Sequence, residues 1–249
     1  MTYINHFNQG SDKYIRFRPD YPEALFTYLS SLLNKTAQVW DCGTGNGQAA
    51  VSLAKQFKRI LATDINLQPL EMALHKSNVH YICCSAEKTP FLDHTIDLVT
   101  VAQALHWFNL ENFYKEVRRV AKPSSIIAAW CYSLGMINVD VDPLINMLYT
   151  DILGDKYWPT ERRYIDTYYQ TLSFPFVTIE APSFTIEKKI DFFSLIGYLN
   201  TWSAVKEYQK RQHANPIDLI YEKLLFAWGE PQKERMMRWP VHMLVGRID

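Results

Sequence analysis

Apolar residues along this chain follow two rhythms. Between residues 38 and 130, short unbroken apolar runs alternate with stretches that are apolar at every third or fourth position. The runs are Gln38–Cys42, Arg59–Thr63, His80–Cys84, Ile96–Ala102 and Ser125–Trp130. Each predicts a strand covered on both faces, where no position need face water. The intervening stretches predict helices. Asn46–Phe57 carries Ala49, Ala50, Leu53, Ala54 and Phe57 at helical spacing, and Gln68–Lys76 sets Leu70, Ala73 and Leu74 on one face. Asn109–Val120 turns Phe113, Val117 and Val120 inward. Strand and helix in alternation call for a doubly wound α/β sheet, mostly parallel, with helices on both faces.

The rhythm changes after residue 140. Val141–Leu153 and Glu161–Leu172 predict tyrosine-rich helices, and Phe176–Ile190 has strand-like stretches around Ala181–Pro182. Phe192–Leu199 and Pro216–Trp228 are helical in pattern, and Val241–Gly246 is a last strand. Late helical excursions in an α/β chain suit a cover over the ligand edge of the sheet.

Composition narrows the choices. The 249 residues suit one domain with insertions, and 48% hydrophobic against 21% charged supports a sizeable core. Lys+Arg and Asp+Glu both number 26, so no broad positive field grips nucleic acid or an anionic membrane. The chain has no apolar run long enough for a span, and Met1–Gly10 lacks a signal-like apolar stretch. A cytoplasmic monomer or weak dimer with a small-molecule partner is the expectation. Cys42, Cys83, Cys84 and Cys131 form no C-x-x-C pair and read as buried, reduced thiols in strands. No metal site is expected.

The chemistry concentrates at Val39-Trp40-Asp41-Cys42-Gly43-Thr44-Gly45-Asn46-Gly47, between a strand and a helix. Glycines there let the backbone turn sharply and touch a ligand. Position 48 is Gln, so the G-x-G-x-x-G dinucleotide fingerprint is not met. Asp41, at the strand end, would repel a phosphate and attract an ammonium group. S-adenosylmethionine carries an amino group and no phosphate. Asp64 closes the second strand, where an acid accepts hydrogen bonds from ribose hydroxyls. Its neighbour Ile65 joins it in the expected cofactor site. The third strand ends Cys84-Ser85-Ala86-Glu87, at the expected adenine end.

Together these residues resemble the class I S-adenosylmethionine-dependent methyltransferases. Asp41-x-Gly43-x-Gly45-x-Gly47 is similar to their first motif, Asp64 to their ribose acid, and Ser85-Ala86-Glu87-x-x-Pro90-Phe91 to their adenine-side loop. Tyr14-x-x-x-Arg18-Pro19-x-Tyr21-Pro22, His106-Trp107, Thr201-Trp202-Ser203 and Arg238-Trp239-Pro240 are similar to the trans-aconitate methyltransferase-like branch. Lys122-Pro123-Ser124-Ser125 departs from the usual Lys-Pro-Gly-Gly. The resemblance implies seven strands in order 3-2-1-4-5-7-6, the seventh antiparallel. The sixth would lie in Phe176–Ile190 and the seventh in Val241–Gly246. It implies one domain over 1–249, with an N-terminal helical lid segment over 1–35 and a helical insertion over about 191–229. The implied cofactor contacts are Tyr14, Asp41, Gly43, Thr44, Gly45, Gly47, Asp64, Ile65, Ser85, Ala86, Glu87, Ala102 and Gln103.

For the acceptor, the sequence offers alternatives. An ionised carboxylate needs no general base, whereas a phenol or carbon acid benefits from one. His106 is the candidate base, with orienting or packing as its other roles. Arg18 and Arg163 are candidate counter-charges for a carboxylate, because planar guanidinium matches it. Trp107 could line the acceptor pocket. O-methylation of a small carboxylic acid is the expected reaction. Methylation of a phenolic metabolite, or cofactor binding without catalysis, are the alternatives. The exit Ala102-Gln103-Ala104-Leu105 lacks an Asn-Pro-Pro-Tyr loop and argues against base or glutamine methylation.

Overall fold

The structure, a computed structural model, describes residues 17–34 and 36–249. These separate into two compact units. A sheet unit comprises Asp20–Ser133, Arg163–Thr185 and Pro240–Asp249, and a helical unit comprises Leu134–Arg162, Ile186–Trp239 and, of the described residues before Asp20, Phe17–Pro19.

The strands are β1 (Gln38–Cys42), β2 (Arg59–Asp64), β3 (Val79–Cys83), β4 (Ile96–Ala102), β5 (Ala121–Tyr132), β6 (Val177–Thr178), β7 (Phe184–Ile190) and β8 (Arg235–Arg247). Their order is β3-β2-β1-β4-β5-β8-β6, with β7 pairing β8 off this path. The first five are parallel. β8 runs antiparallel to β5 from Ile126↔Arg247 to Tyr132↔Val241, and β6 pairs antiparallel with β8. This is the expected order once one added strand is counted. The region expected to hold the sixth strand splits in two: Ile179 N–H still donates to Val245 O at 2.8 Å, and the ladder then breaks through residues 180–183, with Pro182 among them, before β7 begins. Proline offers no N–H to a ladder.

The central strands form as apolar runs because both faces are covered. Val39, Trp40, Leu98, Val99 and Val101 are fully buried, as are Ile126 to Cys131 of β5. Burial of each large apolar side chain contributes about 1.5–3 kcal/mol. Trp40 also satisfies its indole N–H by donating to Thr63 Oγ1 at 2.8 Å. The helices that cover the sheet are α1 (Glu23–Ser31), α2 (Gln48–Leu53), α3 (Leu67–Glu71) and α4 (Leu110–Val120). In α4, Asn109 caps the first turn by accepting from Asn112 N–H at 3.1 Å, and Phe113, Val117 and Val120 face the core. α2 and α3 are shorter than the apolar spacing suggested, because their ends unwind into turns at Ala54–Gln56 and Met72–Ser77.

Further sequence expectations change. Cys42 and Cys131 are buried, but Cys83 is exposed and Cys84 half-buried. β3 is the end strand of the sheet, and its covering is incomplete: His80 and Cys83 are exposed. The helix expected over Glu161–Leu172 also stops early, as described below.

The helical unit contains α5 (Asp142–Met147), a π-helical turn over Leu148–Leu153, and α6 (Gly154–Tyr157). α7 (Arg162–Asp166) straddles the boundary; α8 (Phe192–Asn200), α9 (Ser203–Gln212) and α10 (Tyr221–Trp228) follow. The pattern over Pro216–Trp228 resolves into a 3-10 turn, Pro216–Leu219, and then α10.

At the amino-terminal edge of the sheet, Asp97 fastens three strands. Its carboxylate accepts from Gln38 N–H at 2.8 Å and from Lys122 Nζ at 2.8 Å.

Candidate functional site

The carboxyl-terminal edge of the sheet carries the residues singled out by sequence. The bend after β1 places Gly43, Gly45 and Gly47 at φ +67°, +56° and +83°. These are left-handed values that cost a side-chain-bearing residue about 1–2 kcal/mol. Gly43 has a second constraint: a Cβ there would lie 2.6 Å from Ala104 Cβ and 3.1 Å from the Phe108 ring. The bend after β1 is thus packed against the turn after β4. Gly45 is different, since a Cβ there would meet nothing within 4 Å. Its face of the bend is open.

Asp41 is fully buried and turned inward. Its carboxylate accepts from Thr44 Oγ1 at 2.5 Å and from Thr100 Oγ1 at 2.8 Å. Burial pushes its carboxyl up to about 6, partly offset by those hydroxyls, while the charge of Asp64 pushes it further up. Sequence reasoning set Asp41 against an ammonium group. The structure gives it the prior task of holding the bend. Thr100 was missed, although a threonine inside an otherwise apolar strand was the available signal.

Asp64 joins two loops. Oδ2 accepts from Gly45 N–H at 2.9 Å, and Oδ1 accepts from Asn66 N–H at 2.9 Å. An ionised carboxylate has about four acceptor sites, so these bonds leave capacity for hydroxyl donors. Ile65 beside it is 41% exposed, an apolar side chain available at the strand end.

The loop after β3 is tied to the loop after β4. Ser85 Oγ donates to Glu87 and accepts from Glu87 N–H, and Glu87 Oε1 accepts from Asn109 N–H at 3.0 Å. The Ser85 proton is therefore engaged by Glu87. Ala86 is buried, which leaves its backbone rather than its methyl group to meet a ligand. Ala102 ends β4 and Gln103 follows it, both half-buried, with Gln103 at φ +56° and its Oε1 accepting from Tyr132 N–H at 3.3 Å. Tyr14 lies outside the described residues.

His106 sits in the 3-10 turn Leu105–Trp107 and is 7% exposed. Its Nδ1 lies 2.8 Å from Tyr169 Oη, and the half-buried Trp107 ring has its centroid 4.8 Å from the imidazole. Arg163 is exposed, donates to Tyr164 Oη at 3.1 Å and covers that ring at 4.9 Å. The structure thus sets Arg163 on its own neighbour. In the helical unit, the Arg18 guanidinium lies 5.4 Å from the Tyr198 ring centroid and donates to Thr201 O at 3.4 Å.

The bend fits a phosphate-free cationic nucleoside. The open face at Gly45 admits close approach, Asp64 offers acceptors to hydroxyls, and Asp41 and Asp64 together favour positive charge. Among the described residues, no cluster of His, Cys, Asp and Glu could hold a metal ion. No helix among them is long and apolar enough to cross a membrane.

Comparison with known proteins agrees. A methyltransferase domain matches residues 40–129. A Dictyostelium discoideum protein described as a methyltransferase is 32% identical over 247 residues, covering 97% of this chain and 94% of its own length. A solved structure described as a type II methyltransferase, from Anaeromyxobacter dehalogenans, superposes with TM-score 0.87 at 39% identity, covering 93% of this chain and 98% of its own. A Marinomonas malonyl-[acyl-carrier protein] O-methyltransferase is 34% identical over 135 residues, about half of each protein (51% and 49%). With the sheet order, the open glycine bend and these full-length likenesses in agreement, the chain belongs to the class I S-adenosylmethionine-dependent methyltransferases.

Proposed function

We propose that the chain methylates a carboxylate oxygen of a small organic acid. When bound, the cofactor supplies a methyl group already activated on a sulfonium. An ionised carboxylate presents its own lone pair at neutral pH, so no base is required. What remains for the protein is to orient the acid and exclude water, effects worth roughly 7–11 kcal/mol.

In this reading Asp64 and Ile65 hold the ribose and adenine end. Gly43, Gly45 and Gly47 provide the bend against the amino-acid portion, with Thr44 and Asp41 fixing its shape. Ser85, Ala86, Glu87, Ala102 and Gln103 wall the site, and Trp107 borders the acceptor.

The observation that carries the acceptor class is the likeness to the Marinomonas protein, by name an O-methyltransferase of a malonyl group, whose free end is a carboxylate. The Marinomonas relative, an O-methyltransferase by name, supports oxygen as the atom methylated.

The test is turnover of methyl-labelled cofactor with a panel of carboxylic acids and phenols. Label is expected in base-labile esters of acids. Label confined to phenols or to carbon would overturn the reading.

A further inference from the structure

The helix expected over Glu161–Leu172 ends at Asp166, and two consecutive tyrosines follow in the left-handed region, Tyr168 at φ +57° and Tyr169 at φ +63°. Each such residue costs about 1–3 kcal/mol and persists only where its surroundings impose it. Here they impose it from both sides. Tyr168 turns outward and stacks on His242, with centroids 4.1 Å apart and planes at 21°. Tyr169 turns inward and is fully buried, its N–H donating to Tyr164 O at 2.7 Å. The reversal delivers the Tyr169 hydroxyl to His106 Nδ1 at 2.8 Å, across 63 residues of sequence.

A phenol is the stronger O–H donor of this pair, and an unprotonated imidazole nitrogen is the stronger acceptor. The bond therefore runs from Tyr169 O–H to Nδ1, which places the imidazole proton on Nε2. The partner of one ring nitrogen fixes the state of the other. The turn that carries His106 begins and ends on Ala104 and Phe108, the residues that crowd Gly43, so it belongs to the same cluster of loops as the cofactor bend.

We infer that Tyr169 is a positioning residue that locks His106 in the Nε2–H form, making His106 a hydrogen-bond donor to the acceptor oxygen rather than a general base. With Nε2 already protonated, His106 has no lone pair there to take a proton. This deepens the carboxylate reading and rests on it: an anionic oxygen needs a donor, whereas a phenol or carbon acid needs a base.

The test is long-range proton–nitrogen NMR of the full-length protein with bound S-adenosylmethionine, in the wild type and in Tyr169→Phe. In the wild type, the neutral His106 ring should show Nδ1 unprotonated and Nε2 protonated. In Tyr169→Phe the two nitrogen signals should move toward each other as the forms mix. A proton on Nδ1 in the wild type overturns the inference even if the variant fails to fold, as does an unchanged spectrum in a folded variant. A second arm compares His106→Gln with His106→Ala on the best acid of the panel. Glutamine retains a donor and no base, so it should turn over at least about tenfold faster than alanine, as the loss of one charge-assisted bond requires. Equal rates overturn the donor role. If no acid is methylated at all, the acceptor reading fails while the NMR result stands apart from it.

Discussion

Asp41 is a buried acid whose charge is costly until something offsets it. Its carboxyl is raised to about 6 from an ordinary 3.8, chiefly by burial. Between those values the folded chain holds a proton that the unfolded chain has released. This single group therefore makes the fold less stable as pH rises through that window, by about 3 kcal/mol in full. Asp41→Asn removes the slope. In urea denaturation at pH 4.5 and 7.5, the variant should gain stability relative to wild type at the higher pH, and an equal difference at both would argue against a raised Asp41. Ser124 presents a smaller strain. It occupies φ +64° where the family usually has glycine, and it is exposed. Ser124→Gly relieves about 1 kcal/mol of backbone strain, and glycine's greater freedom when unfolded takes back roughly half. A rise of about 1–2 °C in Tm, with cofactor affinity unchanged, is the expected outcome of thermal denaturation.

Among the elements, the loops at the carboxyl edge act as a set because they touch. Gly43→Ala should show it. The new methyl group would press on Ala104 and Phe108 while the backbone stays left-handed, at a cost of about 2–4 kcal/mol. Both stability and calorimetric cofactor affinity should fall; loss of neither would mean that the two loops move independently. Much at this scale was legible. β1 and β4 fall on the residues their apolar runs marked, and β2 and β3 within one, because the apolar side chains that dominate each run are the ones the sheet buries. α9 was not legible. Its sequence SAVKEYQKRQ buries only Ala204 and Val205, too few apolar positions to show a period. The stop after Asp166 was also hidden, because local pattern favoured a continued helix and the opposing contacts with His106 and His242 come from distant sequence. The glycine bend and Asp64 could be found from spacing alone. The inward turn of Asp41 and the Tyr169–His106 pair could not, since each depends on a partner tens of residues away.

At the scale of the whole molecule, cofactor binding and folding are linked. The bend, Asp64 and the Ser85 loop all belong to the sheet unit, so a ligand held there stabilises that unit against unfolding. S-adenosylmethionine at a hundred times its Kd adds about 2.7 kcal/mol, or roughly 5–10 °C in Tm for a chain of this size. Asp64→Ala should abolish the shift while circular dichroism stays native, and NAD should produce none. A shift with NAD alone would contradict the family assignment at its root.

The clamp formed by Asp97 lies at the opposite end of the strands from all of this chemistry. With β1, β4 and β5 cross-linked at their beginnings by one carboxylate, their register is anchored away from the bend, and substitutions among the turns at the other edge leave that anchor in place.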